Sequence, residues 1–133
     1  MARLCPVTKL CFSRSAAEIS ALATSIRADY ESSLDAIVAP APAGRDADAL
    51  YAASFGRLAA ADNVVAARAA EAMLPALVAA EPDRRTAGAA AKALLADMYS
   101  AAYARRDVYE ALSRARDATA AAADGGEATT KLA

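Results

Sequence analysis

Alanine occupies 43 of the 133 positions, and this abundance constrains the fold more than any other feature of the chain. Because alanine is the best helix-forming residue, the composition favours helices along the whole length. The larger apolar residues and the cysteines together number only 33, so any hydrophobic core must be thin. A net charge of −1 argues against a disordered chain, which usually carries a high net charge. We therefore expect a single all-α domain.

Apolar residues recur every three or four positions along three segments, which predicts three long amphipathic helices in an up-down-up bundle. The first helix begins at Ser15, because Ser15 and Glu18 have the spacing of a capping box. Its apolar stripe comprises Ile19, Leu22, Ile26, Tyr30, Leu34 and Ile37. It ends near Val38, since residues 39–44 contain two prolines and a glycine and form the clearest linker in the chain.

The second predicted helix starts at residues 46–48, where aspartates suit a helix N-terminus. It kinks at Pro75, with Leu74, Leu77 and Val78 packed around the kink. The third helix runs from about residue 83 to residue 123 and is ended by Asp124-Gly125-Gly126. Its predicted inner stripe is Ala87, Ala91, Leu94, Leu95, Met98, Ala102, Val108, Tyr109 and Leu112.

These boundaries predict a helical domain at residues 15–123, between a basic tail (1–14) and a polar tail (124–133). The basic tail contains three basic residues and no acid. This pattern is typical of organellar transit peptides and also of ordinary terminal tails. We expect a cytoplasmic protein, with organellar targeting as the alternative.

Several functional classes are disfavoured by the residue types present. The chain has no histidine, so it lacks the commonest general base and the commonest metal ligand. Its two cysteines, Cys5 and Cys11, are predicted to be reduced thiols without a special role, because zinc would need two further ligands. Balanced charge argues against nucleic-acid binding, and no uncharged apolar run is long enough for a membrane span. We predict no catalytic, cofactor-binding or metal-binding residue, and no cofactor.

Two pairs of residues are candidates for a protein interface. Tyr99 and Tyr103 lie slightly outside the main apolar stripe, so they could form an aromatic docking surface or belong to the core. Arg84 and Arg85 open the third helix, where the helix dipole disfavours cations. A partner's acidic group could compensate this placement, although surface solubility is the more ordinary explanation.

One series of residues has the spacing of a known family. It consists of Pro75, Asp83, Arg85-Thr86-Ala87, Leu95, Arg105 and Asp107-Val108-Tyr109. Together these residues resemble the N-terminal helical region of the thimet oligopeptidase and neurolysin family of zinc metallopeptidases. There, a proline late in one long helix precedes a similar Arg-Thr-Ala step and a helix ending in an Asp-Val-Tyr-like run. The resemblance covers roughly residues 16–118.

This resemblance implies an almost wholly helical segment of the wall of a channel that admits short peptides. The family's zinc is held by a His-Glu-x-x-His helix, whose glutamate is the general base. Without histidine, this chain has no counterpart of that site, so no catalytic or metal residue can be transferred to it. The resemblance thus implies a non-catalytic segment that packs against other protein, such as a missing catalytic domain. The alternative is an unrelated alanine-rich helical adaptor or accessory subunit of a larger assembly.

Overall fold

The computed structural model describes residues 11–39 and 46–130, with side chains described as far as residue 122. Every regular element in these ranges is helical, which confirms the all-α prediction. The elements are α1 (Ala16–Val38), α2 (Ala47–Tyr51), a π-helical segment (Ala52–Gly56), α3 (Arg57–Met73), α4 (Pro75–Val78), α5 (Pro82–Tyr103) and α6 (Arg106–Thr130).

The start and the buried face of α1 agree with the prediction. The backbone N–H of Glu18 donates to Ser15 Oγ at 3.3 Å, and the backbone N–H of Ser15 donates to Glu18 Oε2 at 2.7 Å. The capping box is therefore complete, and both orphan backbone donors are satisfied. Five of the six predicted stripe residues are buried, and Leu22 is half-buried while its neighbour Ala23 is buried. The buried face of α1 consists of Ile19, Ala23, Ile26, Tyr30, Leu34 and Ile37.

The second predicted helix is a continuous helical run from α2 to α3 that includes the π-helical segment. Asp46 is its N-cap and accepts a hydrogen bond from the backbone N–H of Ala49 at 2.7 Å. Buried Ser54 lies in the π-helical segment and donates to the carbonyl of Leu50 at 2.7 Å. The run ends at Met73, immediately before the kink predicted at Pro75. Most of the linker predicted at residues 39–44 lies outside the described residues.

The described residues contain four long helices, α1, α3, α5 and α6, so the prediction of three was wrong. The helix expected at residues 83–123 is interrupted at residues 104–105, between α5 and α6. Arg105 binds Asp35 of α1 at 2.6 Å and Asp107 of α6 at 2.6 Å. Asp107 also accepts from the backbone N–H of Val108, and its acidic side chain suits the first turn of a new helix. These contacts stabilise the break.

Two further predictions about the last helix were wrong. Tyr109 was expected on the inner stripe, but it is 68% exposed, whereas its neighbour Val108 is buried. Adjacent helical residues differ by about 100° in direction, so only one of them can face the core. In addition, α6 continues through Gly125 and Gly126 to Thr130, so the expected polar tail is helical as far as residue 130. Two glycines at about 1 kcal/mol each do not end this helix.

The core lies where α1 packs against both α3 and α5, which also contact each other. Helix α6 contacts α1 and α2, and α4 packs on α5. Five alanines of α3 and α5 are buried here, and such small side chains let helix axes approach closely. They are Ala61, Ala69, Ala72, Ala87 and Ala91. The alanine-rich composition therefore produces a thin core with closely packed helices.

Candidate functional site

An apolar groove lies where the end of α3 and the short helix α4 meet α5. Its volume is about 440 Å³. We call it the α4 groove, and its lining residues are Ala70, Met73, Leu74, Ala76, Leu77, Ala89 and Lys92. Leu77 is 82% exposed, and the adjacent Val78 on α4 is 66% exposed. Large apolar side chains exposed beside an apolar groove are typical of a binding surface.

The sequence around Pro75 explains why α4 leaves these side chains exposed. Pro75 cannot donate a backbone hydrogen bond, so α3 ends and a new short helix begins with Pro75 at its first position. This helix is only four residues long, and the chain is already extended at Ala79. Consecutive residues such as Leu77 and Val78 point in different directions, so one short turn cannot bury both. The predicted packing of these two residues around the kink was therefore wrong.

Gly88 allows α4 to lie directly on α5. A Cβ atom placed on Gly88 would lie 2.5 Å from the backbone nitrogen of Ala76 and 3.1 Å from its Cα. Real Cβ atoms essentially never approach backbone so closely, hence glycine is required here unless α4 moves. The contact between Gly88 and Ala76 thus sets how close α4, which forms one wall of the α4 groove, lies to α5.

The α4 groove has a positive edge on α5. Lys92 is exposed and lines the groove, and no carboxylate is among the described lining residues. Arg85 lies on the same face of α5 as Ala89 and Lys92, because the three are spaced by four and three residues. Arg85 donates to the carbonyls of Ala79 at 3.0 Å and Ala80 at 2.6 Å, so its charge is held beside the end of α4.

Residues 11–14 bind the same end of α3, although the prediction assigned them to a tail. Arg14 donates to Glu71 Oε2 through Nε at 3.1 Å and Nη2 at 2.7 Å. The backbone N–H of Cys11 donates to Glu71 Oε1 at 3.0 Å, and Arg84 donates to the carbonyl of Phe12. Glu71 is only 5% exposed, and its hydrogen bonds with Arg14 keep its pKa below the ordinary value. Residues 1–10, including any targeting signal, lie outside the described residues.

A tyrosine cluster occupies the opposite end of α5. Buried Tyr30 donates from its hydroxyl to Asp62 Oδ1 at 2.9 Å and makes an edge contact with Tyr99, with ring centroids 5.5 Å apart. Tyr99 is half-buried and stacks on Tyr103 at 6.3 Å. Burial, followed by the hydrogen bond to Asp62, raises the pKa of Tyr30. The cluster therefore contains a structural part (Tyr30 and Tyr99) and an exposed ring, Tyr103, which is 87% exposed.

The four predicted interface residues do not form one surface. Arg84 and Arg85 lie in the first turn of α5, whereas Tyr99 and Tyr103 lie at its end, roughly 20–28 Å away along the axis. Both arginines make hydrogen bonds within the chain, Arg84 to Glu81 at 3.0 Å and Arg85 to the carbonyls of Ala79 and Ala80. Their role at an interface stays a prediction. Tyr103 is 87% exposed and is not packed on the core, Arg85 is also exposed, and Tyr99 and Arg84 are half-buried.

The described residues contain no group of three or more potential metal ligands among histidine, cysteine, aspartate and glutamate. Exposed Cys11 has a pKa below the ordinary value because of its side-chain hydrogen bond with Ser13. Cys5 lies outside the described residues. None of the described helices is both long and apolar enough to cross a membrane.

Neither the α4 groove nor the burial of Glu71 was predicted from the sequence. A signal for the groove existed, since two prolines at positions 75 and 82 leave only a short helix that contains a Leu-Val pair. A signal for Glu71 also existed, because it is an acid between two buried-stripe alanines, Ala69 and Ala72. Its partner Arg14 is 57 residues away, and no local pattern identifies it.

Comparisons with known proteins found no matching family model, no similar curated protein and no similar solved structure. The relationship to the oligopeptidase family therefore stays a prediction.

Proposed function

We propose that this chain is a non-catalytic helical module that acts by binding another protein. The observation that carries the proposal is the exposure of Leu77, which lines the apolar α4 groove, together with that of its neighbour Val78 on α4. Apolar surface of this kind is stabilised when a partner covers it, by about 25 cal/mol per Å² of area removed from water. The proposed bundle of helices is the scaffold that holds this surface in place.

Two partners are compatible with this proposal, and they differ in origin. If the family resemblance is correct, the partner is the catalytic part of an oligopeptidase. If it is not, the chain is an adaptor or accessory subunit of an unrelated assembly. The genomic sequence after codon 133 separates these cases, because an in-frame His-Glu-x-x-His would establish the former.

The proposal is tested by crosslinking the full chain in its native cells and isolating the complex under denaturing conditions. We expect one partner protein at a stoichiometric ratio, reduced by a surface variant such as Leu77→Ser or Tyr103→Ser. A chain recovered alone would refute the proposal. Zinc-dependent hydrolysis of short peptides by the purified chain alone would also refute it, since the module would then be an enzyme.

A further inference from the structure

We infer that the α4 groove binds an amphipathic helix that carries acidic residues beside its apolar face. This inference rests on the proposed function, because it specifies the partner's chemistry at one surface. It depends on three properties of the groove, namely its apolar lining, the secondary structure around it and the charge at its edge.

The apolar lining of the α4 groove suits apolar side chains of a partner. Met73, Leu74 and Leu77 form apolar walls, and Ala70, Ala76 and Ala89 are small. Small residues between larger ones let another helix approach closely, as when the ridges of one helix pack into the grooves of another. An apolar row with helical spacing on the partner would therefore fill the α4 groove.

Because the groove is surrounded by helices, the partner must form its backbone hydrogen bonds within itself. The groove lies among helices, and the described residues contain no strand whose edge could pair with an extended peptide. A partner buried here must consequently form its own backbone hydrogen bonds, because an unpaired buried peptide group is costly. A helix meets this condition, and helix-in-groove binding is a common mode of peptide recognition.

The positive charge at the edge of the α4 groove favours acidic residues beside the partner's apolar face. Lys92 lines the groove and Arg85 shares its face of α5, whereas no carboxylate is among the described lining residues. The nearby acid Glu71 is buried and already bound to Arg14 at 2.7 Å. A carboxylate at the edge of the partner's apolar row would therefore be attracted to Lys92, and a basic residue there would be repelled.

Two designed peptides test the inference against the full chain. Each is a fluorescent amphipathic helix of about 18 residues, long enough for appreciable helicity. Both have leucine at every third or fourth position, and they differ in carrying either glutamates or lysines beside this row. Fluorescence anisotropy measures binding to the wild type, to Leu77→Ser and to Lys92→Glu. Val64→Ser is the matched control, because Val64 is an exposed apolar residue of α3 that does not line the groove.

We expect the wild type and Val64→Ser to bind the glutamate peptide equally. Leu77→Ser should weaken this binding about tenfold or more, because a leucine contact is lost. Lys92→Glu should weaken it about three- to tenfold and strengthen binding of the lysine peptide by a similar factor. Circular dichroism of each variant should show unchanged helicity, since the substituted side chains are exposed.

Three peptide-binding results would each overturn the inference. They are no binding of the glutamate peptide, binding that Leu77→Ser leaves unchanged, and a Lys92→Glu variant without reversed charge preference. A dimer in sedimentation that Leu77→Ser dissociates would assign the groove to a second copy and would also overturn it. Failure of the proposed function looks different, because the chain would then be recovered alone from crosslinked cells. A cellular complex that survives Leu77→Ser but is lost in Tyr103→Ser would refute the groove and keep the proposed function.

Discussion

Gly88 is the residue at which the packing of α4 on α5 can be perturbed most selectively. The substitution Gly88→Ala adds one methyl group, and its carbon would lie 2.5 Å from the backbone nitrogen of Ala76. The neighbouring atoms belong to the backbone and Cβ of Ala76, so no flexible side chain can rotate away. To relieve the contact, α4 must move away from α5.

Two opposing effects determine the size of the change in stability. Replacing glycine by alanine within a helix stabilises it by about 1 kcal/mol. Overpacking a close contact destabilises by about 1–3 kcal/mol. We therefore expect Gly88→Ala to lower the free energy of unfolding by up to about 2 kcal/mol.

Gly56 supplies a matched control for this experiment. It is also helical, but a Cβ atom there would lie 3.6 Å from the nearest backbone oxygen, that of Tyr51, which is an ordinary contact. Gly56→Ala should consequently keep the helical gain of up to about 1 kcal/mol without overpacking. The helical gain cancels between the two variants, so their difference of about 1–3 kcal/mol measures the packing of α4 alone.

Urea unfolding followed by circular dichroism measures both variants against the wild type. The reasoning would be refuted if Gly88→Ala were as stable as Gly56→Ala, because α4 would then not be held by the glycine contact. Gly88→Ala should also weaken binding of the glutamate peptide, since the movement of α4 alters one wall of the α4 groove. Gly56→Ala should leave that binding unchanged.

Three further perturbations test other contacts of the fold. Tyr30→Phe removes the hydrogen bond to Asp62 and should lower the free energy of unfolding by about 1 kcal/mol, measured by urea titration. An unchanged free energy of unfolding would mean that the hydrogen bond to Asp62 is no more favourable than the hydrogen bonds that the hydroxyl makes with water in the unfolded chain. Glu71→Ala should accelerate tryptic cleavage after Arg14, and unchanged cleavage would contradict the docking of residues 11–14. Because the folded pKa of Glu71 lies below its ordinary 4.5, its contribution is present above that pH and is lost on acidification through the folded pKa, so Glu71→Ala should lessen the acid sensitivity of the wild type. Arg105→Ala should lower the free energy of unfolding by about 0.5–1 kcal/mol in a urea titration, because the ion pairs at the α5–α6 junction are lost. High salt should abolish most of this difference, and a difference independent of salt would argue against the ion pairs.

Local patterns predicted the elements whose ends and faces depend on neighbouring residues. The capping box at Ser15 and the helix start at Asp46 are confirmed, because each depends on residues within one turn. At Pro75 a kink was predicted, and the helix is interrupted there between α3 and α4. The buried face of α1 was predicted for the same reason, since apolar spacing identifies one side of a helix.

Features that depend on distant residues were not predicted. The break between α5 and α6 is stabilised by Arg105 binding Asp35, which is 70 residues away, and no nearby proline or glycine marks it. Likewise, residues 11–14 were predicted to belong to a tail, because their partners Glu71 and Arg84 lie far along the chain. Such pairs become neighbours only after the helices have packed.

The sequence by itself determined that this chain is helical, with a thin core and no histidine for acid–base or metal chemistry. These properties follow from composition and from spacing within single helices. The tertiary structure alone decided which apolar residues stay exposed. Leu77 and Val78 have the same hydrophobic character as buried residues, yet both face solvent on α4, whose backbone packs on α5 at Gly88. Exposure depends on how helices pack against one another, and this packing is not encoded in any single helix.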